Sequence, residues 1–449
     1  MPVKLTPCLT EFVKEKDSHT IDFYLSKGGY EAARKAVNEF EPAKLIQFVK
    51  DSNLRGRGGA GFPAGMKWSF VPQPKPGEPK KPKFLVLNAD ESEPGTFKDR
   101  LVMEYYPHPI FEGALIACWA VGIETVYIYI RGEMPQGYKR LVQGVNEAYD
   151  KGFFGKDLFG KKGFNVDCTI HRGGGAYICG EETSLLSSLE GNRGYPKLKP
   201  PFPAISGAFG LPTVVNNVVT VAYLPYIVKN GIDWWKSFGT PKSTGLMPYS
   251  LSGHVKKPGV YELPLNVTLK ELINDFGGGW DKKLKAVIPG GSSSKVLRMP
   301  EDEDVMMDFD GLASRGSMLG SAAVIVMDET TCMVDALWNL LRFYHHESCG
   351  QCTPCREGSG WAEKILHRIE HGEGQPGDVD LLLSICDRAI GRTICVFAEA
   401  FGWPIQSYVA KFRDEFEQHI RERRCPLTGK GADHYAKHGP KKLAMAGGH

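Results

Sequence analysis

Short apolar runs alternate with longer helical patterns along the first half of the chain. Two of the runs, Lys83–Asn88 and Thr125–Ile130, are bounded by polar or turn-forming residues. Apolar runs of about four to eight residues are typical of buried parallel strands. Helices are predicted at about Ile110–Val121 and Gly137–Lys151, and a third strand near Val166–His171. This alternation predicts an α/β domain with a parallel sheet.

The pattern changes near Tyr249. Residues 249–279 are typical of a strand, a Pro-Gly turn, a second strand, a short helix and a glycine stop, and further strands are predicted at Ala286–Ile288 and Ala323–Met327. This order predicts a compact α+β unit of about eighty residues. The unit resembles the ubiquitin-like β-grasp module that occurs as a soluble ligand-binding domain. Its loop Gly290–Lys295 could hold an anion, but we favour a plain loop.

From Thr331 onward, apolar residues recur at intervals of three and four, as in amphipathic helices. Four helices are predicted, at about Cys332–Glu347, Trp361–Glu370, Val379–Ile390 and Ile405–Arg423, and their short connections favour a bundle. We therefore expect an N-terminal arm with an α/β domain (residues 1–240), the β-grasp-like unit (247–328), a four-helix domain (331–425) and a basic, flexible tail (426–449).

The overall composition fits a soluble protein of about two to four domains. The chain has 449 residues, a formal net charge of +3 and eleven cysteines. This charge is too small to indicate nucleic-acid binding, and clustered cysteines in so long a chain indicate a reduced compartment and a metal site. No signal-peptide pattern opens the sequence. The most apolar stretches, Phe111–Ile130 and Val214–Val228, contain Glu112, Glu124, Asn216, Asn217 and Pro225, so neither is expected to span a membrane.

The segment Arg55–Lys67 is the first candidate for chemistry. It holds five glycines and one proline, bracketed by two arginines and a lysine. Glycines let the backbone press against a flat or phosphorylated ligand, and exposed N–H groups beside cationic side chains form an anion cradle. A flexible surface turn is the alternative, but Phe62, Pro63 and Trp68 stiffen the segment. We interpret it as a loop that binds a phosphate and a ring.

This loop also matches a dinucleotide-binding pattern, but its context differs. Gly56, Gly58 and Gly61 satisfy G-x-G-x-x-G, a pattern that requires a strand before it and a helix after it. The preceding segment Pro42–Ser52 has the pattern of an amphipathic helix, and the following run Pro72–Pro82 is rich in proline and lysine. The sequence therefore does not predict an ordinary Rossmann fingerprint.

Other polar clusters lie where an α/β domain would place a ligand. Polar residues 88–95 follow the first predicted strand, and a second glycine-rich turn, 171–184, leads into a helix predicted at Thr183–Leu189. Glu181 and Glu182 at that turn could bind a ligand or simply complement the helix dipole. The adjacent amides Asn216 and Asn217 interrupt an apolar run and must find partners in the backbone or in a ligand.

The strongest motif in the chain is Cys349-x2-Cys352-x2-Cys355. This spacing wraps three thiolates around one corner of a [4Fe–4S] cluster, whereas structural zinc more often uses paired C-x2-C motifs. Three downstream cysteines compete as the fourth ligand. Cys425 precedes a proline, as in bacterial ferredoxins; Cys395 lies in a turn that suits a ligand; Cys386 falls in mid-helix. The remaining cysteines are expected to be small buried residues: Cys8, Cys118, Cys168, Cys179 and Cys332.

Five segments together resemble one protein family. They are GRGGAGFPAGMKWSF, NADESEPGTFKDR, GAYICGEETSLLSSLEG, VVNNVVT and ESCGQCTPCREG, in this order between about residues 30 and 425. The family is the flavoprotein, NADH-oxidising subunit of respiratory complex I. The resemblance implies a Rossmann-like FMN-binding domain, a β-grasp domain and a four-helix domain with an iron–sulfur cluster.

The resemblance also implies site residues. FMN would be bound by Gly56, Arg57, Gly58, Gly59, Lys67, Asn88, Asp90, Glu91, Ser92, Tyr177, Gly180, Glu181, Asn216, Asn217 and Thr220. NADH would stack above the flavin, contacted by Phe62, Phe70, Glu93, Glu182, Lys199 and Phe202. The cluster ligands would be Cys349, Cys352, Cys355 and Cys395. No side chain is expected to act as a catalytic acid or base, because the hydride passes directly between two rings held face to face.

The resemblance further implies two partner subunits, a small [2Fe–2S] protein and a larger multi-cluster protein, at the cytoplasmic side of a bacterial inner membrane. A diaphorase subunit of a soluble NAD-linked hydrogenase or formate dehydrogenase would run the same half-reaction and is the main alternative. A nucleotide-sensing or scaffold protein with a structural cluster is a third hypothesis, and it would bind nucleotide without bleaching a flavin.

Overall fold

The computed structural model describes residues 4–74 and 81–432. The chain divides into two compact units, one of residues 1–281 with 287–326 and the other of residues 282–286 with 327–449. Part of the proline- and lysine-rich run Pro72–Pro82 and most of the predicted tail 426–449 lie outside the described residues. Among the described helices, none combines the length and the apolar character needed to cross a bilayer.

A four-stranded parallel sheet forms the centre of the first unit. Its strands are β1 (Phe84–Ala89), β2 (Thr125–Ile130), β3 (Asp167–Arg172) and β4 (Thr213–Asn217), in the order β3-β2-β1-β4. The first three begin within one residue of their predicted positions. The chain moves outward from β1 to β3 and then returns to the other side of β1 with β4. In such sheets ligands bind at the carboxyl ends of the two strands that flank the reversal, here β1 and β4.

The helices of this unit cover the sheet and form the N-terminal arm. They are α1 (Ile21–Ser26), α2 (Glu31–Glu39), α3 (Pro42–Ser52), α4 (Ala64–Ser69), α5 (Lys98–Tyr105), α6 (His108–Val121), α7 (Pro135–Asp150), α8 (Glu182–Leu189), α9 (Val218–Ala222), α10 (Leu224–Asn230) and α11 (Ile232–Lys236). Thirteen of the fourteen residues of α6 are buried, which explains the long apolar run seen there. Its Glu112 carboxylate accepts hydrogen bonds from the Tyr24 hydroxyl and, at 2.9 Å, from the Ala33 N–H, so the arm is tied to the core.

A second, five-stranded sheet follows. Its strands are β5 (Leu246–Gly253), β6 (Gly259–Pro264), β7 (Leu284–Ile288), β8 (Leu297–Arg298) and β9 (Ala323–Asp328), in the order β6-β5-β9-β7-β8. β5 pairs antiparallel with β6 and parallel with β9. The short helix α12 (Leu269–Glu271) begins with a capping box and continues as a π turn, and α13 (Phe309–Ser314) comes before β9. The strand pair and the short helix occur in the predicted order, whereas β8 and α13 had no apolar pattern to indicate them.

Four helices make up most of the second unit: α14 (Met333–Glu347), α15 (Thr353–Glu370), α16 (Asp378–Ala389) and α17 (Phe397–Glu422). α14 and α16 each pack against α15 and α17. Two of these helices begin at residues other than those predicted. α15 begins at Thr353 rather than Trp361, because Pro354 is tolerated in a first helical turn. α17 begins at Phe397 rather than Ile405 and runs through Pro404, where the prediction had placed a helix boundary.

Candidate functional site

The glycine-rich segment is a closed loop between α3 and α4. Arg55 pairs with Pro63 across its base, and the Gly56 N–H donates to the Phe62 carbonyl at 2.9 Å. These contacts fix the two ends of the loop and leave Gly58 and Gly59 at its tip. A helix precedes the loop, as predicted, so it is not the strand–turn–helix of an ordinary Rossmann fingerprint.

The tip of the loop has room for a ligand. A Cβ added at Gly58 would lie 2.9 Å from the Cβ of Asn217, so a larger residue would push that amide away. Gly59 has a φ of +130°, which side chains rarely adopt, and no described atom lies within 4 Å of the Cβ it would carry. A flat or phosphorylated ligand can therefore approach the backbone here. This geometry fits the FMN that the resemblance implies.

Arg57 is fully buried, and its side chain belongs to the framework of the loop. The guanidinium donates to the carbonyls of Leu246, Arg55 and Thr244 at 2.8–3.1 Å, and burial lowers its pKa to about 10. The backbone N–H of Arg57 donates to the Thr220 hydroxyl at 2.7 Å. Full burial, with three of the five guanidinium N–H groups already used, argues against a phosphate contact by this side chain. The side chain instead fastens the loop to the start of β5.

Three helices begin beside this loop, and each is capped by a side chain predicted to line the flavin pocket. The caps are Glu91 on α5, Glu181 on α8 and Asn217 on α9, each accepting hydrogen bonds from two backbone N–H groups of the first turn at 2.7–3.2 Å. Helix N-termini carry partial positive charge and favour anions. The carboxylates of Glu91 and Glu181 already complement the positive ends of α5 and α8, and Glu181 agrees with the helix-dipole interpretation considered from the sequence.

A buried charged group that the sequence did not indicate lies at the start of α5. The Lys98 ammonium contacts the Asp99 carboxylate, and both side chains are buried. The Asn217 amide donates to the other oxygen of Asp99 at 2.6 Å, which joins the starts of α5 and α9. Burial, with the charge of Asp99 adding to it, raises the pKa of Glu91 to about 7. Adjacent opposite charges in a first helical turn usually indicate an exposed helix start, so no sequence signal revealed this cluster.

The polar residues after β1 bond to one another and to the second glycine-rich turn. The Asn88 amide donates to the Gly180 carbonyl at 2.8 Å, and its oxygen accepts from the Asp90 N–H at 3.0 Å. The Ser92 hydroxyl donates to the Asp90 carboxylate at 2.6 Å. The structure thus brings the two predicted segments together at the carboxyl end of β1.

The amides at the end of β4 have partners inside the protein. The Asn216 oxygen accepts from the Trp68 indole N–H at 2.9 Å in a buried bond, which links β4 to α4. Asn217 caps α9 with its oxygen and bonds Asp99 with its nitrogen. Both amides therefore hold together the elements that surround the loop.

Glu182 lies between two lysines. Lys67 reaches its carboxylate at 3.2 Å and also donates to the Val215 carbonyl at 3.0 Å. Lys199 reaches the other oxygen of Glu182 at 2.9 Å and contacts Glu181 at 3.3 Å. Burial alone would raise the pKa of Glu182, but the two ammonium groups outweigh it and lower the pKa. The site is thus lined by a compact group of two cations and two carboxylates.

Glu93 is held by the loop Gly290–Lys295, which we had expected to be a plain loop. The Ser293 N–H and the Ser292 hydroxyl donate to one carboxylate oxygen at 2.6 and 3.2 Å, and the Tyr177 hydroxyl donates to the other at 2.6 Å. The loop does bind an anion, but the anion is a carboxylate of the same chain. The second sheet of this unit therefore helps to position a residue predicted to contact NADH.

Three aromatic residues predicted to contact adenine are exposed. Phe62, Phe70 and Phe202 are 45%, 53% and 56% exposed, unusually high fractions for phenylalanine. The rings of Phe62 and Phe70 lie near each other, with centroids 6.2 Å apart and planes inclined by 47°. The exposed rings provide apolar surface beside the polar loop.

In the second unit, the Cys349-x2-Cys352-x2-Cys355 motif joins α14 to α15. Burial raises the pKa of the Cys355 thiol to about 12, and the neighbouring thiols of Cys395, Cys349 and Cys352 act in the same direction. The Ile394 N–H donates to the Cys352 sulfur at 3.4 Å, which brings the turn before α17 to the motif. Cys386 and Cys425 do not share these contacts. Of the three alternatives for a fourth ligand, Cys395 is the one beside the motif.

Comparison with known proteins gives matches along most of the chain. Sequence models of three families match: the Nuo51 FMN-binding domain over residues 49–226, the SLBB domain over 248–326, and the NADH-ubiquinone oxidoreductase-F iron-sulfur binding region over 335–419. The F 2 subunit of the NADH-quinone oxidoreductase of Rhizobium meliloti is 51% identical over 94% of this chain and 99% of its own length. The corresponding F subunit of Mycobacterium bovis is 48% identical over 94% of this chain and 95% of its own length.

A solved structure is also similar. It is the crystal structure of an NAD+-reducing [NiFe]-hydrogenase in the air-oxidised state, with a TM-score of 0.79 and 32% sequence identity. The match covers 93% of this chain and 67% of the other.

Proposed function

Because this chain belongs to the family of NADH-quinone oxidoreductase F subunits, we propose that it is the component that oxidises NADH in such a complex, with FMN and one [4Fe–4S] cluster as cofactors. The observation that carries the proposal is the 51% identity over 94% of this chain and 99% of its relative. The FMN-binding and iron–sulfur families match the segments that hold the glycine loop and the cysteine motif, respectively.

The glycine loop, with Lys67, would hold the phosphate and ring of FMN. The space above Gly59 and the close approach of Gly58 to Asn217 support this position. Arg57 would contribute backbone rather than side-chain contacts, since its guanidinium already bonds three carbonyls. The proposed FMN-binding set is Gly56, Arg57, Gly58, Gly59, Lys67, Asn88, Asp90, Glu91, Ser92, Tyr177, Gly180, Glu181, Asn216, Asn217 and Thr220.

NADH would bind over the same loop. The exposed rings of Phe62, Phe70 and Phe202 supply apolar surface for the adenine. Glu93, Glu182 and Lys199 would make polar contacts, and their own partners hold them in place. Glu93 is fixed by Ser292, Ser293 and Tyr177, and Glu182 by Lys67 and Lys199.

The bound cofactors supply the redox chemistry, FMN as the acceptor of a hydride and the cluster as the acceptor of single electrons. The residues of this chain would bind and orient the two rings, and Lys67 and Lys199 would supply positive charge for the anionic groups. No side chain is needed as an acid or base in this scheme. The four-residue set Cys349, Cys352, Cys355 and Cys395 would hold the cluster, supported by the position of Cys395 beside the motif.

We further propose that the chain works with a small [2Fe–2S] protein and a larger multi-cluster protein, at the cytoplasmic surface of a bacterial inner membrane. The structural similarity to the NAD+-reducing hydrogenase supports a second candidate, a diaphorase component of a soluble NAD-linked enzyme. The identity of the co-purifying proteins separates the two. Membrane proteins among them favour the quinone reductase, and a metal-dependent hydrogenase or formate dehydrogenase favours the diaphorase.

The proposal is tested by an anaerobic visible spectrum of the purified chain with its co-purifying partner, recorded before and after addition of NADH. We expect flavin absorbance that bleaches with NADH, above a broad iron–sulfur absorbance. A cluster spectrum that NADH does not change, even after FMN has been supplied, would contradict the proposal and favour a nucleotide-sensing or scaffold role.

A further inference from the structure

Four buried side chains of the second unit converge on one point. They are Cys332, Glu370, His419 and Cys425, and one ligand atom from each lies within 4.8 Å of all the others. Their exposed fractions are 7%, 2%, 0% and 0%. Groups of this kind are rarely buried unless they are paired or bind a metal. None of the four belongs to the proposed [4Fe–4S] ligand set.

This group lies at the opposite end of the helices from the Cys349–Cys355 motif. Cys332 caps the start of α14, and Glu370 is the last residue of α15, whereas the motif joins the end of α14 to the start of α15. At a rise of about 1.5 Å per residue, these helices of 15 and 18 residues are about 22 and 27 Å long. The two groups of cysteines are therefore separate sites.

The spacing of three of the four ligand atoms is close to that of a tetrahedral zinc shell. The Cys332 sulfur lies 3.3 Å from Nε2 of His419 and 3.5 Å from a carboxylate oxygen of Glu370, and these last two atoms are 3.5 Å apart. Zinc bonds of about 2.0–2.3 Å at tetrahedral angles place neighbouring ligand atoms about 3.4–3.8 Å apart. Each of the three distances lies within about 0.3 Å of this geometry.

The surrounding hydrogen bonds orient the ligand atoms. His419 Nδ1 is 2.7 Å from the Glu415 carbonyl, which can only accept, so Nδ1 carries a proton and Nε2 is the ring atom that faces the group. The Asp335 N–H donates to the Cys332 sulfur at 3.4 Å. Cys425 lies in a tight turn, with its N–H donating to the Lys430 carbonyl at 2.7 Å, and its sulfur accepts a backbone bond from Thr428. Each sulfur thus has a fixed position at the group.

We propose that Cys332, Glu370, His419 and Cys425 bind one Zn²⁺ ion. Two thiolates, one imidazole and one carboxylate form a closed four-ligand shell, which is typical of a structural rather than a catalytic zinc site. Binding releases the thiol protons to solvent. The ion connects the start of α14, the end of α15, the last turns of α17 and the turn after it. It therefore fastens the end of the described chain to the helices. This inference does not depend on the proposed redox function.

Metal analysis of the full-length chain, purified with its cofactors and without chelators, tests the proposal. We expect about one zinc per chain beside about four irons. Glu370→Gln and Cys425→Ser should each reduce the zinc content at least about fivefold and leave the iron unchanged. Cys386→Ala is the matched control, because Cys386 is equally buried in the same unit and should affect neither metal.

X-ray absorption at the zinc edge of the unmodified protein provides a test that does not depend on how the variants fold. We expect two sulfur atoms at about 2.3 Å and two nitrogen or oxygen atoms at about 2.0–2.2 Å. Zinc below about 0.1 per chain after incubation with Zn²⁺ and dialysis would refute the site. Loss of iron rather than zinc in Cys425→Ser, or a shell without sulfur, would also refute it.

Discussion

Replacing Gly291 by alanine is expected to weaken NADH binding, because the new methyl group would displace Glu93. Gly291 has a φ of +94°, and a Cβ there would lie 2.5 Å from Cγ of Glu93 and 2.9 Å from its Oε1. Oε1 is the oxygen that accepts the bonds from Ser292 and Ser293. The substitution thus perturbs the Glu93 carboxylate without removing it.

Two costs arise from this change, and they can be separated. A side chain at such a φ is strained by about 1–3 kcal/mol wherever it occurs. The overlap with Glu93 adds about 1–3 kcal/mol, which the protein relieves by moving the carboxylate. If Glu93 contacts NADH, loss of a hydrogen bond to a charged group costs about 1.5–3 kcal/mol, or about 10- to 150-fold in affinity. FMN should stay bound, because Glu93 is not in the proposed FMN set.

Anaerobic NADH titration of flavin bleaching gives the affinity, and fluorescence of released FMN gives the cofactor content. Gly316→Ala is the matched control, because its φ is +69° and no described atom lies within 4 Å of the added Cβ, so it carries strain without overlap. In a Glu93→Ala background, Gly291→Ala should weaken NADH binding no further. Additive effects of the two substitutions, or loss of FMN from Gly291→Ala alone, would refute the reasoning.

Three further predictions concern single residues. Cys395→Ala should remove the paramagnetic resonance signal of the reduced cluster while Cys425→Ala preserves it; the opposite pattern would overturn the ligand set. Arg57→Ala should lower the melting temperature, because three carbonyls each lose a donor at about 1–3 kcal/mol, whereas unchanged melting with loss of FMN alone would contradict the framework role. The pKa of Glu91 is about 7 in the folded protein, above the ordinary 4.5 of a glutamate. Glu91 therefore contributes to the free energy of unfolding below about pH 4.5, and this contribution is lost as the pH rises through about 7. Melting temperatures across this range should therefore show a weaker decline in Glu91→Gln than in the unmodified protein, and equal slopes would refute this.

Local sequence patterns predicted those helices and strands in which the apolar residues of one face are all buried. β2 occurs at Thr125–Ile130 and α3 at Pro42–Ser52, both with the predicted bounds. They were predictable because a run of β-branched and aromatic residues, or an apolar stripe, reports burial directly. α17 was harder, since Pro404 normally marks a boundary, yet the helix packs against α14, α15 and α16 and continues through it.

In the site, likewise, some features could be recognised from a short sequence segment, whereas others depend on contacts between residues far apart in the chain. The glycine loop and the cysteine motif were identifiable because backbone space and thiolate spacing are local properties of the sequence. The contact of Ser293 with Glu93 joins residues 200 positions apart, and the Asn217–Asp99 bond joins residues 118 apart. Nothing in a window of sequence indicates that these partners meet. Cys332 is buried as predicted, but its three neighbours in the group come from distant parts of the chain and were not indicated by the sequence.

The polar residues around the glycine loop combine two tasks, which affects how any substitution there should be interpreted. Glu91, Glu181 and Asn217 cap three helices, and Thr220 accepts a bond from the loop itself. Removing such a side chain costs about 0.5–2 kcal/mol of cap stability and also moves the backbone that would face the cofactor. Loss of FMN from such a variant therefore does not by itself establish a direct contact. In a paired design, one substitution displaces a side chain and a second removes it. If both act through that side chain, their effects are not additive, whereas distant and independent effects add.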